Sequence, residues 1–216
     1  MPIFTNGNRK ILFIHIPKSA GSSIERIGRD KGWEESFSVR GKSLTEAAYY
    51  KATPQHFHAD ILRQIFDFKE FDSVFTIVRN PYDRLKSEYY WQRDQSMTNL
   101  QVDDWVSNIF QRYSENQFIC DNHIRPQVEF LPDYEHLKIL KLEENGVEKA
   151  KEIFVHLSED LRKGKIGAKL RKTHFGFEKR EKQSVKHPKI EAMFAKNYGK
   201  IVEFYKADYD KLSYDT

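Results

Sequence analysis

Apolar residues along the chain fall into short, dense runs separated by breakers, and two of these runs share one layout. In Lys10–Ile16 the residues Ile11, Leu12, Phe13, Ile14 and Ile16 leave almost no polar gap, the pattern of a strand buried on both faces. Pro17 ends that run and Gly21 marks a turn. A helix is predicted from Ser22 or Ser23, with Ser22 and Glu25 at capping-box spacing. In Phe71–Trp91 the run Val74, Phe75, Ile77, Val78 predicts a second buried strand. It breaks at Asn80-Pro81, where Asn80 can cap a helix, Pro81 suits its first position and Asp83 its first turn. Two successive strand–turn–helix units predict parallel α/β architecture.

The remaining pattern is more ordinary. An amphipathic helix is predicted over Asp103–Phe118, with Trp105, Ile109, Phe110 and Tyr113 on its apolar side. Alternation of apolar residues and Lys over Leu137–Leu142 predicts a strand near a sheet edge. Val147, Ala150, Phe154 and Leu157 follow helical spacing, and a last helix is predicted from about Pro188 to Asp208. Between them the basic stretch Arg162–Lys186, with glycines at 164, 167 and 176, predicts a loop or lid. No repeat or linker divides the chain, so one domain over 1–216 is expected.

Composition narrows the classes. An aromatic fraction of 14% excludes a disordered chain. Basic residues number 36 and acidic ones 32, a net +4, which is too mild to argue for nucleic acid. The single cysteine, Cys120, excludes an intrachain disulfide and any multi-cysteine metal site. No run approaches a membrane span or a signal-peptide core, so neither a membrane partner nor a nucleic-acid partner is expected, and a cytoplasmic location is.

Candidate chemistry sits at the two turns. Pro17-Lys18-Ser19-Ala20-Gly21-Ser22-Ser23 follows a strand and opens a helix, where backbone N–H groups can bind phosphate oxygens, Lys18 adds a charge, and Ser19, Ser22 and Ser23 add donors. A plain turn, with Gly21 relieving strain and Ser22 capping, would use the same residues. The segment is not a Walker A loop, because Lys18 precedes its only glycine. The second strand ends in Arg79 rather than in an acidic residue that would hold Mg²⁺, which suits a nucleotide handled without metal. Arg79 lies where open α/β sheets bind ligands. Arg84 and Ser87 share a helix face and could grip a phosphate, although Arg84 could equally form a surface ion pair with Glu88.

At this point the residues resemble a family. His15-Ile16-Pro17-Lys18-Ser19-Ala20-Gly21-Ser22-Ser23 resembles the 5'-phosphosulfate loop of sulfotransferases that use 3'-phosphoadenosine 5'-phosphosulfate (PAPS). It is closest to the branch with the heparan sulfate 2-O- and 6-O- and chondroitin-type enzymes. Val78–Tyr89 resembles their 3'-phosphate motif, an Arg followed eight residues later by a Ser. Arg125-Pro126-Gln127 and the terminal Ile201–Tyr209 also resemble segments of that branch.

The resemblance implies a three-layer α/β fold with a central parallel sheet flanked by helices, like that of P-loop kinases. It also implies transfer of a sulfuryl group from PAPS to an acceptor hydroxyl on a carbohydrate, with PAP as product and no metal. Lys18 would contact the phosphosulfate and stabilise charge on the bridging oxygen. Ala20, Gly21, Ser22 and Ser23, with the Ser19 hydroxyl, would hold the 5'-phosphate, and Arg79 and Ser87 the 3'-phosphate.

The hydroxyl needs a base, and histidine is the usual choice. His58-Ala59-Asp60 resembles the segment around the base of 6-O-sulfotransferases, which favours His58; other relatives favour His56. His15 reads as a core histidine and His123 as a cleft residue beside Arg125. No third and fourth metal ligands lie near His56 and His58 in sequence, so no metal site is expected. The competing functions are a non-catalytic PAP- or polyanion-binding module and a P-loop-like nucleotide kinase.

Overall fold

The computed structural model describes residues 1–39, 49–163 and 187–216. Its strands are β1 (Ile3–Asn6), β2 (Arg9–Ile14), β3 (Glu34–Ser36), β4 (Ser73–Val78) and β5 (Leu137–Lys141). Its principal helices are α1 (Gly21–Asp30), α2 (Ala59–Ile65), α3 (Pro81–Asp94), α4 (Val102–Glu115), α5 (Gly146–Lys163), α6 (Pro188–Lys196), α7 (Tyr198–Phe204) and α8 (Lys206–Leu212). Most of the basic stretch read as a loop or lid, from 164 to 186, lies outside the described residues. Its first two members, Arg162 and Lys163, still belong to α5.

Among the described residues the strands form one sheet in the order β3-β1-β2-β4-β5. The segment β2-β4-β5 is parallel, as the two strand–turn–helix units require. The outer half is not. β1 returns on β2 as an antiparallel hairpin, with Gly7 at φ 58 in the turn, and β3 adds antiparallel to β1. The expected parallel sheet is therefore a mixed one. Ile3–Asn6 escaped the sequence reading because four residues with two apolar positions carry no periodic signal, and only pairing with β2 makes them a strand.

Both faces of the sheet are covered. Ile11, Phe13, Phe75 and Ile77 pack with Ile24 of α1 and Ala150, Phe154 and Leu157 of α5. Leu12, Ile14, Val74 and Val78 pack on the opposite face with Leu62 of α2, Phe130 and Leu212 of α8. This alternation follows from the period of two along each strand. Every residue of β4 is buried. Phe75 stacks on Phe13 at 5.0 Å and meets Phe154 edge-on at 6.1 Å, so its truncation to Ala costs about 3–5 kcal/mol. A further core joins α3, α4 and the C-terminal helices through Leu85, Tyr89, Trp105, Phe194, Ile201 and Tyr205.

Two local expectations change. The single last helix is three, because Asn197 (φ −92, ψ 4) and Tyr205 (φ −97, ψ 21) leave the helical region. The bends wrap Phe194, Ile201, Tyr205 and Tyr209 around one core that a straight helix would touch only along a stripe. Helix α1 is capped by Ala20 without a side-chain hydrogen bond, so the Ser22–Glu25 capping box does not form. Glu25 turns instead to His15, 3.1 Å away. The Asn80 cap does form, its Oδ1 accepting from the N–H of Tyr82 at 3.0 Å and of Asp83 at 3.3 Å. No described helix is long and apolar enough to cross a membrane.

Candidate active site

The loop between β2 and α1 is strained by design of its backbone. Lys18 (φ 66) and Ala20 (φ 65) both adopt the left-handed conformation, at a cost of about 1–2 kcal/mol each. Such outliers cluster where a ligand is held. Ser19 and Ser23 donate their amides to the carbonyls of Ile16 and Ala20, while the amides of Ala20, Gly21 and Ser22 carry no partner among the described residues. The Ser19 hydroxyl is buried and without a hydrogen bond. Unpaired donors at the N-terminus of a ten-residue helix suit an anion.

Arg79, at the C-terminal end of β4, closes over this loop. Its Nη1 donates to the Lys18 carbonyl at 3.3 Å. The Arg79 peptide is held at both ends by Gln127, whose own N–H donates to the buried Asp208 at 2.9 Å. Lys18 Nζ lies 5.0 Å from the centre of the Trp91 ring. Burial lowers its pKa, Glu88 opposes that shift, and Arg79 adds to it. Two cations drawn together in this way favour a bound anion. Ser87 is half-buried on α3, and its hydroxyl forms no hydrogen bond among the described residues.

Arg84 does neither thing its sequence position suggested. It is 1% exposed and donates to the carbonyls of His123 at 3.0 Å and Arg125 at 2.8 Å, with the Tyr205 ring 5.1 Å away. α3 turns this face inward, so Arg84 braces the 123–125 turn rather than meeting a ligand or pairing with Glu88.

Three imidazoles run in a row from the loop. The His15 ring lies so close to Gly21 that a Cβ there would sit 1.8 Å from Nε2. The His56 ring is 4.9 Å from His15, His123 is 4.9 Å from His56, and Trp91 is 5.3 Å from His123. Each ring rests its Nδ1 against a carboxylate: His15 on Glu25 at 3.1 Å, His56 on Asp121 at 2.7 Å, and His123 on Glu88 at 2.7 Å. Burial pushes the pKa of His56 down to about 3 despite the Asp121 hydrogen bond, so the ring is neutral at physiological pH. Burial acts to raise Asp121, but its hydrogen bonds from His56 and Thr53 win and leave it below the ordinary carboxylate value.

Asp121 is delivered by a costly turn. Cys120, Asp121 and Asn122 are consecutive left-handed residues, at φ 49, 55 and 64. The turn lets Asp121 accept from the Thr53 N–H at 2.5 Å and hydroxyl at 2.8 Å while it orients His56. Asn122 donates to the His56 carbonyl at 2.9 Å.

A sulfotransferase-family model matches residues 1–215. The chain belongs to the sulfotransferase family. Neither the curated proteins nor the solved structures yield a match. In this family member both the loop after β2 and the Arg79 turn fall inside the matched region, as do all three histidines of the row. Sulfotransferase activity is therefore assigned at the level of the family.

His58 stands outside the row. It precedes α2, packs against Phe118 at 5.6 Å, and leaves its buried Nδ1 without a partner. Burial, then Arg125, lowers its pKa. Sequence reasoning passed over Asp121, Glu88, Gln127 and Asp208 as site supports. Glu88, Gln127 and Asp208 carried a signal, since each lies in a segment that resembles the family; Asp121 did not.

Proposed function

We propose that this family member transfers a sulfuryl group from PAPS to an acceptor hydroxyl, with His56 as general base. The observation that carries the reading is that a neutral, carboxylate-oriented imidazole lies one ring away from the anion loop: His15 touches Gly21 on one side and His56 on the other. Donating Nδ1–H to Asp121 leaves Nε2 of His56 with the lone pair a base needs.

The donor supplies the sulfuryl group. The free amides of Ala20, Gly21 and Ser22 and the hydroxyls of Ser19, Ser22 and Ser23 would hold its 5'-phosphate. Lys18 would neutralise charge on the bridging oxygen as the S–O bond to PAP breaks. Arg79 and Ser87 would bind the 3'-phosphate. The acceptor oxygen forms the new bond to sulfur as His56 takes its proton. Positioning and charge carry the rate, as in other group transfers to oxygen. The strand–loop–helix layout supports kinship with P-loop kinases, and the resemblance in the loop and terminal segments supports a carbohydrate acceptor.

Calorimetric titration with PAP and AMP tests the donor site. Wild type should prefer PAP, and Arg79→Ala should lose about 1–3 kcal/mol of that preference. Equal binding of the two nucleotides would refute it. Transfer from PAPS to a panel of sugar hydroxyls then tests the base: His56→Gln should be inactive yet bind PAP, while His58→Gln stays active. The opposite pattern would move the base to His58.

A further inference from the structure

We infer that His56, Asp121 and His123 form a binding site for a borderline transition-metal dication such as Zn²⁺, and that occupancy silences the transfer reaction. The binding rests on geometry alone; the silencing rests on His56 being the base.

One ligand atom from each of these three residues lies within 4.8 Å of the others, and among the described residues this is the group that meets such a criterion. The donors come from distant stretches. His56 ends the helical turn Pro54–His56, whereas Asp121 lies within the left-handed turn after α4 and His123 follows it. Two imidazole nitrogens and one carboxylate oxygen suit Zn²⁺, Ni²⁺ or Cu²⁺ and disfavour Mg²⁺ and Ca²⁺, which prefer all-oxygen sets. Three protein ligands leave a fourth position open to water.

The surroundings prepare these rings as ligands. His123 rests on Glu88, which is fully buried and also accepts from Gln92 at 2.8 Å. Asp121, itself a ligand of the set, is held in place by the Thr53 hydroxyl at 2.8 Å. Carboxylates behind imidazoles fix their orientation and raise their strength as donors. His56 Nδ1 and Asp121 Oδ2 lie 2.7 Å apart as a hydrogen bond, and an ion would take the place of the proton between them. Ligand atoms on tetrahedral zinc lie about 3.3 Å apart, so the His56–Asp121 pair would open slightly and His123 would close on it. An ion there takes the His56 lone pair out of proton transfer.

The test uses tag-free protein without nucleotide. Zn²⁺ is titrated by calorimetry and Co²⁺ by its ligand-field absorption into wild type, His123→Gln, Asp121→Asn and His136→Gln, the last an exposed control. The expected result is one ion per chain, with affinity lower by at least about 10-fold in His123→Gln and Asp121→Asn and unchanged in His136→Gln. Binding that is absent below millimolar Zn²⁺, or that is indifferent to His123→Gln and Asp121→Asn, overturns the site. In a second arm Zn²⁺ should inhibit transfer from PAPS, and a chelator should restore it. Binding at the site with undiminished transfer would refute the silencing and, with it, the role of His56 as base, while leaving the metal site standing.

Discussion

Gln127 grips the Arg79 peptide at both ends, its Oε1 accepting the Arg79 N–H at 2.9 Å and its Nε2 donating to the Arg79 carbonyl at 2.8 Å. Asp208 in turn receives the backbone N–H groups of Gln127 and Val128, each at 2.9 Å. The C-terminal helix α8 thereby sets the direction in which β4 releases Arg79 toward the loop between β2 and α1. Gln127→Leu removes both bonds and strands two peptide groups of the site. It should lower stability by about 1–3 kcal/mol in urea unfolding and weaken PAP more than AMP. Equal weakening of both nucleotides would show that Gln127 supports the fold without aiming Arg79.

Gly21 marks the tightest contact of the loop. A Cβ would sit 1.8 Å from His15 Nε2, and His15 cannot swing away because Glu25, Gln55, Phe13 and His56 enclose it. Gly21→Ala should cost about 1–3 kcal/mol by thermal unfolding and abolish PAP binding. A variant with wild-type stability would disprove the packing of His15 on the loop.

Asp121 orients the proposed base. Asp121→Asn keeps the shape but loses the charge that favours Nδ1–H on His56. Transfer should fall by about 10²–10⁴-fold in kcat, with PAP affinity retained. An unchanged kcat would detach Asp121 from the reaction.

Stability should depend on His56 between about pH 5 and pH 7. In the unfolded chain His56 takes up a proton near its ordinary 6.5, whereas burial holds the folded value at about 3. The unfolded state therefore binds more protons as pH falls below about 6.5, so stability is lost on acidification through that window. Burial lowers His15 as well, and it contributes with the same sign. Urea midpoints measured between about pH 7 and pH 5 should fall less steeply for His56→Gln than for wild type. Parallel slopes in the two proteins would contradict a neutral, buried His56.

The two strand–turn–helix units were legible because their signals are local. A run such as Val74–Val78 declares its burial within six residues, and Asn80-Pro81 starts α3 through contacts two and three residues away. β1 was illegible because its four residues become a strand only against β2. The breaks at Asn197 and Tyr205 were hidden because the apolar spacing from Ile190 to Tyr205 also fits one continuous helix. Arg84 looked like a surface or ligand residue because nothing in its neighbourhood announces that the carbonyls of His123 and Arg125 will reach it.

The sequence by itself determined the class of fold, the serines and Lys18 in the loop after β2, and the placing of Arg79 at a strand end, since each follows from residues within a turn or two. Tertiary structure decided which histidine meets a carboxylate and lies beside the loop. His56 and His58 are two residues apart, yet Asp121, 65 positions from His56, makes one an oriented imidazole while Phe118 packs on the other. Likewise 35 positions separate Glu88 from His123, and 81 separate Asp208 from Gln127. Hydrogen bonds and charge act over a few ångströms, so partners this distant in the chain become neighbours only when the sheet and the α3–α4 core bring them together.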